Sequence, residues 1–310
     1  MITSLTDINL TELTAKEFKT SPAAWEDQVL YFLLLDRFSD NNEAGFAENG
    51  TTPVFTPADS GNAVTTEQDA EQWRNTGNTW VGGNLKGLTN KIIYLKDLGI
   101  TTIWISPVFK QVAFEDSYHG YGIQNYLQVD KHFGTNEDLK ELVAKAHNAG
   151  IYVILDIILN HSGNVFSYDP DRYLITDENG NSFFDSRWDG NKYSVKGFND
   201  SKGIPSIPFK TGIAPGEDEV IWPREFQEPD HFSQKGRINN WDFAPEFLEG
   251  DFFSLKDIFL GVGDIDDYEP SEALKNLCLI YKYWIAFADI DGYRVDTVKH
   301  MDPGQRDFLR

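Results

Sequence analysis

Along the chain the apolar residues keep a rhythm of helical spacing, a short turn, and then an almost continuous apolar run. In "LKGLTNKIIYLKDLGITTIWISPV", Leu85, Leu88, Ile92 and Leu95 repeat at helical spacing, and Gly99 is placed to end the helix before a strand over 100–105. In "NEDLKELVAKAHNAGIYVILDIILNH", Leu139, Leu142, Val143 and Ala146 form the stripe, with Asn136 as the expected N-cap and Gly150 as the stop before a strand over 151–156. In "SEALKNLCLIYKYWIAFADIDGYRVD", Leu274, Leu277, Ile280, Tyr281 and Trp284 precede a strand over 290–296. The run "VLYFLLLDRF" near residue 30 adds a strand at the front.

Four apolar strands separated by helices predict an α/β fold built on a parallel sheet, with its strands buried on both faces. No Gly-x-Gly-x-x-Gly opens a helix and no Gly-x-x-x-x-Gly-Lys-Ser/Thr occurs, which argues against dinucleotide and phosphate-loop sites. Two stretches interrupt the rhythm. Residues 39–84 are rich in Asn, Gly, Thr, Asp and Pro and read as an irregular excursion, and residues 161–270 read as a small inserted domain or a folded loop system. In a parallel barrel such insertions gather where the strands end, the face that carries the chemistry.

Composition narrows the function classes. The 310 residues are 40% hydrophobic and 25% charged, which places the chain among globular proteins. Eight Trp, 13 Tyr and 22 Phe suit either an aromatic core or the stacking of flat ligands and sugar rings. A net charge of −22 argues against a nucleic-acid partner and favours neutral ligands and divalent cations. Cys278 is the only cysteine and sits on an expected helix among apolar neighbours, as a buried thiol would. No stretch approaches eighteen apolar residues and the N-terminus lacks a basic start with an apolar run. The expectation is a cytoplasmic protein with no membrane partner.

Three stretches offer chemistry. In "GYRVD" the period of two puts Arg294 and Asp296 on one strand face, where the guanidinium holds the carboxylate ionised. Such an Asp can serve as a nucleophile, and taken alone the pair can equally be a strand-end ion pair. "DIILNH" clusters Asp156, Asn160 and His161 at another strand end, and "SYHGYGIQNY" puts His119 and Tyr121 in a glycine-flanked loop.

With these motifs in order, the chain resembles the N-terminal part of the catalytic domain of α-amylase family glycoside hydrolases, glycosyl hydrolase family 13. "GGNLKGL" with "YLKDLGITTIWISPV", the run from "YHGYGIQNY" through "DIILNH", and "DGYRVDTVKH" carry the likeness from about residue 25 onward. The resemblance implies a (β/α)8 TIM-barrel fold of which the first four βα units are expected here. Residues 1–24 would be an extension, 25–160 the first part of the barrel, 161–270 an inserted domain B, and 271–310 the continuation after which the chain is cut short. It further implies retaining double-displacement hydrolysis of α-1,4-glucans, with Asp296 as nucleophile and Arg294 as its electrostatic partner. Tyr121 would stack on the sugar, His119 and His161 would hydrogen-bond it, and Lys299 and His300 would line the leaving-group side. Ca²⁺ is the implied metal, held by Asn160, Asp257 and the His300 carbonyl, with Asp40 and Asn42 resembling a second calcium loop.

The chain departs from the family pattern at Asn125, where the family has Asp, and at Lys256 and Phe259 around Asp257. A retaining glycosidase needs two carboxyl groups about 5–5.5 Å apart, and the only acids after Asp296 are Asp302 and Asp307. Low activity of the isolated chain is therefore expected. A transglycosylase or isomerase of the same family, or a non-catalytic glucan-binding or vestigial protein, remains the alternative.

Overall fold

The computed structural model describes residues 2–40, 67, 76–169, 174–176, 180, 182–184, 186–207 and 214–308. Most of the excursion expected at 39–84, with Asn42, lies outside them.

Four strands form one parallel sheet in chain order: β1 (Leu30–Leu33), β2 (Thr102–Ile105), β3 (Tyr152–Ile157) and β4 (Gly292–Val295). Helices lie in the connections, as parallel pairing requires. Leu85–Asn90 and Ile92–Asp97 precede β2, Asn136–Ala149 precedes β3, and Glu272–Ala288 precedes β4. The fold is thus α/β, and among the described residues the sheet does not close on itself. No described helix is long and apolar enough to cross a membrane.

Register explains what is buried. Ile103 pairs with Val153, Ile105 with Leu155, and Tyr293 with Leu155, so these side chains share one face. The four aliphatic ones are fully buried. The helical stripes they meet are buried with them, including Leu88, Ile92, Leu139, Leu142, Leu277, Ile280 and Trp284. The opposite face carries Leu30, Phe32, Trp104, Tyr152, Ile154 and Arg294. Leu30 is 51% and Phe32 47% exposed, and the others are half-buried. Burial on both faces, expected from the apolar runs, is therefore corrected. The helix-covered face is sealed, while the other is covered only in places, by Trp25 and Lys19 on Tyr152 and by the Tyr121 hydroxyl on Asp156.

Most helix ends follow their sequence signals. Gly99 (φ 89°) and Gly150 (φ 82°) adopt the left-handed conformation that ends a helix. Asn136 is not the N-cap. Thr135 is, through a capping box with Asp138, while the Asn136 amide accepts from the Val129 N–H and donates to the Leu127 carbonyl.

The described residues of 161–270 fold mainly as short strands and turns. Phe166–Tyr168, Val195–Asn199 and Pro205–Ile207 form an antiparallel sheet, and Leu174–Thr176 pairs with Ser182–Phe184. Lys256–Asp257 then runs antiparallel to His161–Ser162, which sets Asp257 opposite His161. That pairing brings the end of the span back to its start, beside the sheet.

Candidate active site

The site forms where β3 and β4 end on the open face. Arg294 pairs with Asp156 in the parallel register, so both side chains leave the same face at the same height. Arg294 Nη1 lies 3.0 and 3.2 Å from the two Asp156 carboxylate oxygens and 2.6 Å from Asp296 Oδ1. The guanidinium also sits over the Trp104 ring, 5.0 Å from its centroid. The Asp296 backbone N–H donates to the Ile157 carbonyl at 2.9 Å, which ties the carboxylate's own peptide to the neighbouring strand. Its side chain is 19% exposed, so it is held yet open to a ligand.

Asp156 is the hub of this network. Its side chain is fully buried and accepts from Trp104 Nε1 (3.1 Å), Arg294 and the Tyr121 hydroxyl (3.3 Å). Burial pushes its carboxyl up to about 6, while Arg294 and the Trp104 indole pull it down. In the sequence Asp156 stands out only as a member of "DIILNH". What would have found its role is the β3–β4 register, which no single strand reveals.

The glycine-flanked loop delivers His119 and Tyr121. Gly120 has φ +90°, and a Cβ there would stand 2.1 Å from the Pro107 carbonyl oxygen, so the turn requires glycine. The Tyr121 N–H donates to His119 Nδ1 at 3.0 Å, which leaves the neutral ring's proton on Nε2. The two rings lie near-parallel with centroids 5.6 Å apart. Burial, then Asp156 and Asp296, raise the Tyr121 hydroxyl far above its usual range, and burial lowers His119. Both groups are neutral at ordinary pH.

His161 is buried and its imidazole is pushed down to about 3 by burial. Its Nδ1 lies 3.2 Å from Asn160 Oδ1. Its Nε2 makes no hydrogen bond of ordinary geometry, although the Tyr121 backbone lies near enough to favour the charged form slightly. The Phe252 ring packs 5.0 Å from it.

Asn160, Asp257 and the His300 carbonyl converge from three parts of the chain. The Asn160 amide nitrogen is 3.0 Å from Asp257 Oδ1 and 3.3 Å from the His300 oxygen. An amide can present either end at the same place, so three oxygens can face one point here. That donor set suits a hard cation such as Ca²⁺. Among the described residues no group of three or more His, Cys, Asp and Glu side chains is placed to hold a metal, so the fit rests on the amide and the carbonyl.

The remaining expected residues are more dispersed. Lys299 reaches the Trp241 carbonyl (3.2 Å) and Asp242 (3.5 Å) with its side chain 60% exposed, and His300 Nδ1 lies 2.7 Å from the Phe247 carbonyl. Both point toward the 241–247 segment rather than toward Arg294 and Asp296. Asp40 offers its carbonyl to the Asn84 amide at 3.3 Å. Asn125 is fully buried and accepts from the Leu127 N–H at 2.9 Å.

Comparison with known proteins gives the family. The family model described as "Alpha amylase, catalytic domain" matches residues 32–308, and the chain belongs to the alpha-amylase family. The "Alpha-amylase" of Streptomyces lividans is 34% identical over 71% of this chain and 24% of its own length. The "Cyclomaltodextrin glucanotransferase" of Klebsiella oxytoca is 29% identical over 89% of this chain and 33% of its own. Among solved structures, an alpha-amylase from Geobacillus thermoleovorans complexed with acarbose superposes with TM-score 0.55 at 25% identity. It covers 93% of this chain and 44% of that one. The chain thus spans less than half the length of each of these relatives.

Proposed function

We propose that this chain carries the nucleophile side of a retaining glycosidase site that acts on α-1,4-glucans. The observation that carries the reading is the Asp156–Arg294–Asp296 network at the ends of β3 and β4. Asp296 attacks the anomeric carbon of the bound glucosyl unit and forms a glycosyl ester as the C1–O glycosidic bond breaks, and the departing oxygen takes its proton from a second carboxyl acid that the groups around Asp296 do not include. Arg294 aims Asp296 through their 2.6 Å contact, and Asp156 holds Arg294. Tyr121 offers a ring to the sugar's flat face and His119 Nε2 a polar contact to its hydroxyls, while the expected contact from His161 Nε2 would need that buried nitrogen to be uncovered first. Water then hydrolyses the ester from the face the leaving group vacated.

Among the described residues the acid/base carboxyl has no candidate around Asp296, since Asp156, though its carboxyl is raised, is fully buried beneath Arg294. Asp302 and Asp307 lie in the turn and helix that follow (Pro303–Phe308), away from the network. We read the four parallel strands as the first four βα units of an eight-stranded barrel, with residues 161–270 inserted after β3. The exposed Leu30 and Phe32 side chains and the open sheet support that reading. On it, the 310-residue chain alone turns over starch slowly or not at all. The Asn160 amide, Asp257 and the His300 carbonyl would hold Ca²⁺, which would brace the 161–270 span against the β3 end; no chemical step passes through it.

The matched glucanotransferase supports a second reading, transfer in place of hydrolysis, on the same nucleophile. Incubation with maltotriose separates the two, since transfer yields longer oligosaccharides and hydrolysis only shorter ones. Loss of both product types on Asp296→Asn is expected in any form of the protein that is active. Retained turnover in that variant contradicts the assignment.

A further inference from the structure

Tyr121 is held by one buried side chain that the family motifs do not include, Gln111. It is 3% exposed and lies at the end of the short strand Phe109–Gln111. The pairing of that strand with Ile123–Val129 shifts register at Phe109/Lys110 and again at Lys110/Gln111. Such irregularities re-aim a side chain, and here the amide of Gln111 meets the Tyr121 loop. Its Nε2 donates to the Gly120 carbonyl at 2.9 Å and to the Phe109 carbonyl at 2.6 Å, and its Oε1 accepts from the Gly122 N–H at 2.7 Å. The Gly120 carbonyl belongs to the peptide before Tyr121 and the Gly122 N–H to the peptide after it. One amide therefore fixes both peptide planes that set the direction of the Tyr121 side chain. Only one orientation of the amide satisfies all three partners, because two are acceptors and one is a donor.

Gln111 is itself anchored. Its backbone N–H donates to Asp130 Oδ2 at 2.8 Å, and Asp130 Oδ1 accepts from the His132 N–H and lies 2.7 Å from His132 Nδ1. The His132 ring stacks on Trp80 at 4.0 Å. The loop has no comparable freedom at its glycines. A Cβ on Gly122 would meet Ser117 Oγ at 2.7 Å and Gln111 Oε1 at 3.3 Å.

We infer that Gln111 is a positioning residue for sugar binding: it acts through Tyr121 and His119 by clamping the two peptides around Tyr121. This rests on the reading of Tyr121 as a sugar platform. A purely packing role predicts that a side chain of equal length without hydrogen bonds changes only stability. A positioning role predicts a change in sugar affinity with the fold intact.

The test compares the 310-residue chain with Gln111→Met, Gly122→Ala and Tyr121→Ala. Maltotriose affinity is measured by calorimetry, the melting temperature by circular dichroism, and the Gly122 amide by hydrogen exchange. For Gln111→Met, loss of the clamp should weaken maltotriose about tenfold, a change worth about one good hydrogen bond. It should also speed Gly122 exchange, at temperatures where the variant is fully folded. If Gln111→Met does not fold, Gly122→Ala displaces the same peptide and carries the same expectation. Unchanged affinity in the clamp variants while Tyr121→Ala weakens binding overturns the role of Gln111 alone. No maltotriose binding by the parent chain, or none lost on Tyr121→Ala, overturns the sugar-platform reading and the inference with it.

Discussion

Arg294 is shared between two carboxylates, with Nη1 3.0 Å from Asp156 Oδ2 and 2.6 Å from Asp296 Oδ1. The two acids differ in setting. Asp156 is fully buried and the Asp296 side chain is 19% exposed, so of the two only Asp296 is open to a ligand. Removing Arg294 strands the buried acid. Arg294→Ala should cost about 1.5–3 kcal/mol, the range for hydrogen bonds to charged groups, read as a lower urea midpoint with unchanged slope. A loss below about 0.5 kcal/mol, the level of an ordinary surface substitution, contradicts the account.

Asp156 makes stability depend on pH in a definite sense. Its carboxyl is raised from 3.8 to about 6, so between those values the folded chain binds more protons than the unfolded one. The contribution of this group to stability is therefore greatest below about pH 4, falls as pH rises to about 6, and is level above. The melting temperature of the parent chain minus that of Asp156→Asn should decline across that window. A difference that stays flat or climbs there contradicts the raised carboxyl.

Helix capping gives a check on local structure. Thr135→Ala removes the oxygen that accepts from the Asp138 N–H and should cost about 1 kcal/mol of stability. Denaturant unfolding measures it. No loss would mean that the capping box does not set this helix start.

Calcium binding is tested through stability. A ligand that binds only the folded form raises its stability with concentration. Added Ca²⁺ should raise the melting temperature of the parent chain, and EGTA should reverse the gain. Asp257→Asn should abolish the response. An equal rise in both proteins points to a site elsewhere.

The helical stripes and the four strands were legible because their 3.6-residue and continuous apolar patterns are strong local signals. Arg294 and Asp296 were legible as one face of one strand. Three features were not. Thr135 and Asn136 are both good caps, and only the tertiary demand of the Val129 N–H and the Leu127 carbonyl draws Asn136 away. Apolar runs state what a strand can bury and not what covers it, so the exposure of Leu30 and Phe32 was missed. The roles of Asp156 and Gln111 depend on strand register and on a register shift between distant residues, which no linear pattern records.

The central claim is that Asp296 is a nucleophile, and covalent trapping tests it most directly. A 5-fluoro-α-glucosyl fluoride carries a leaving group that departs with little need of a proton, so its reaction depends on the nucleophile more than on the acid/base group. Intact-protein mass spectrometry should show one added fluoroglucosyl unit, peptide mapping should place it on Asp296, and Asp296→Asn should take up none. An adduct on another carboxylate, or no adduct at all in the parent chain, contradicts the account.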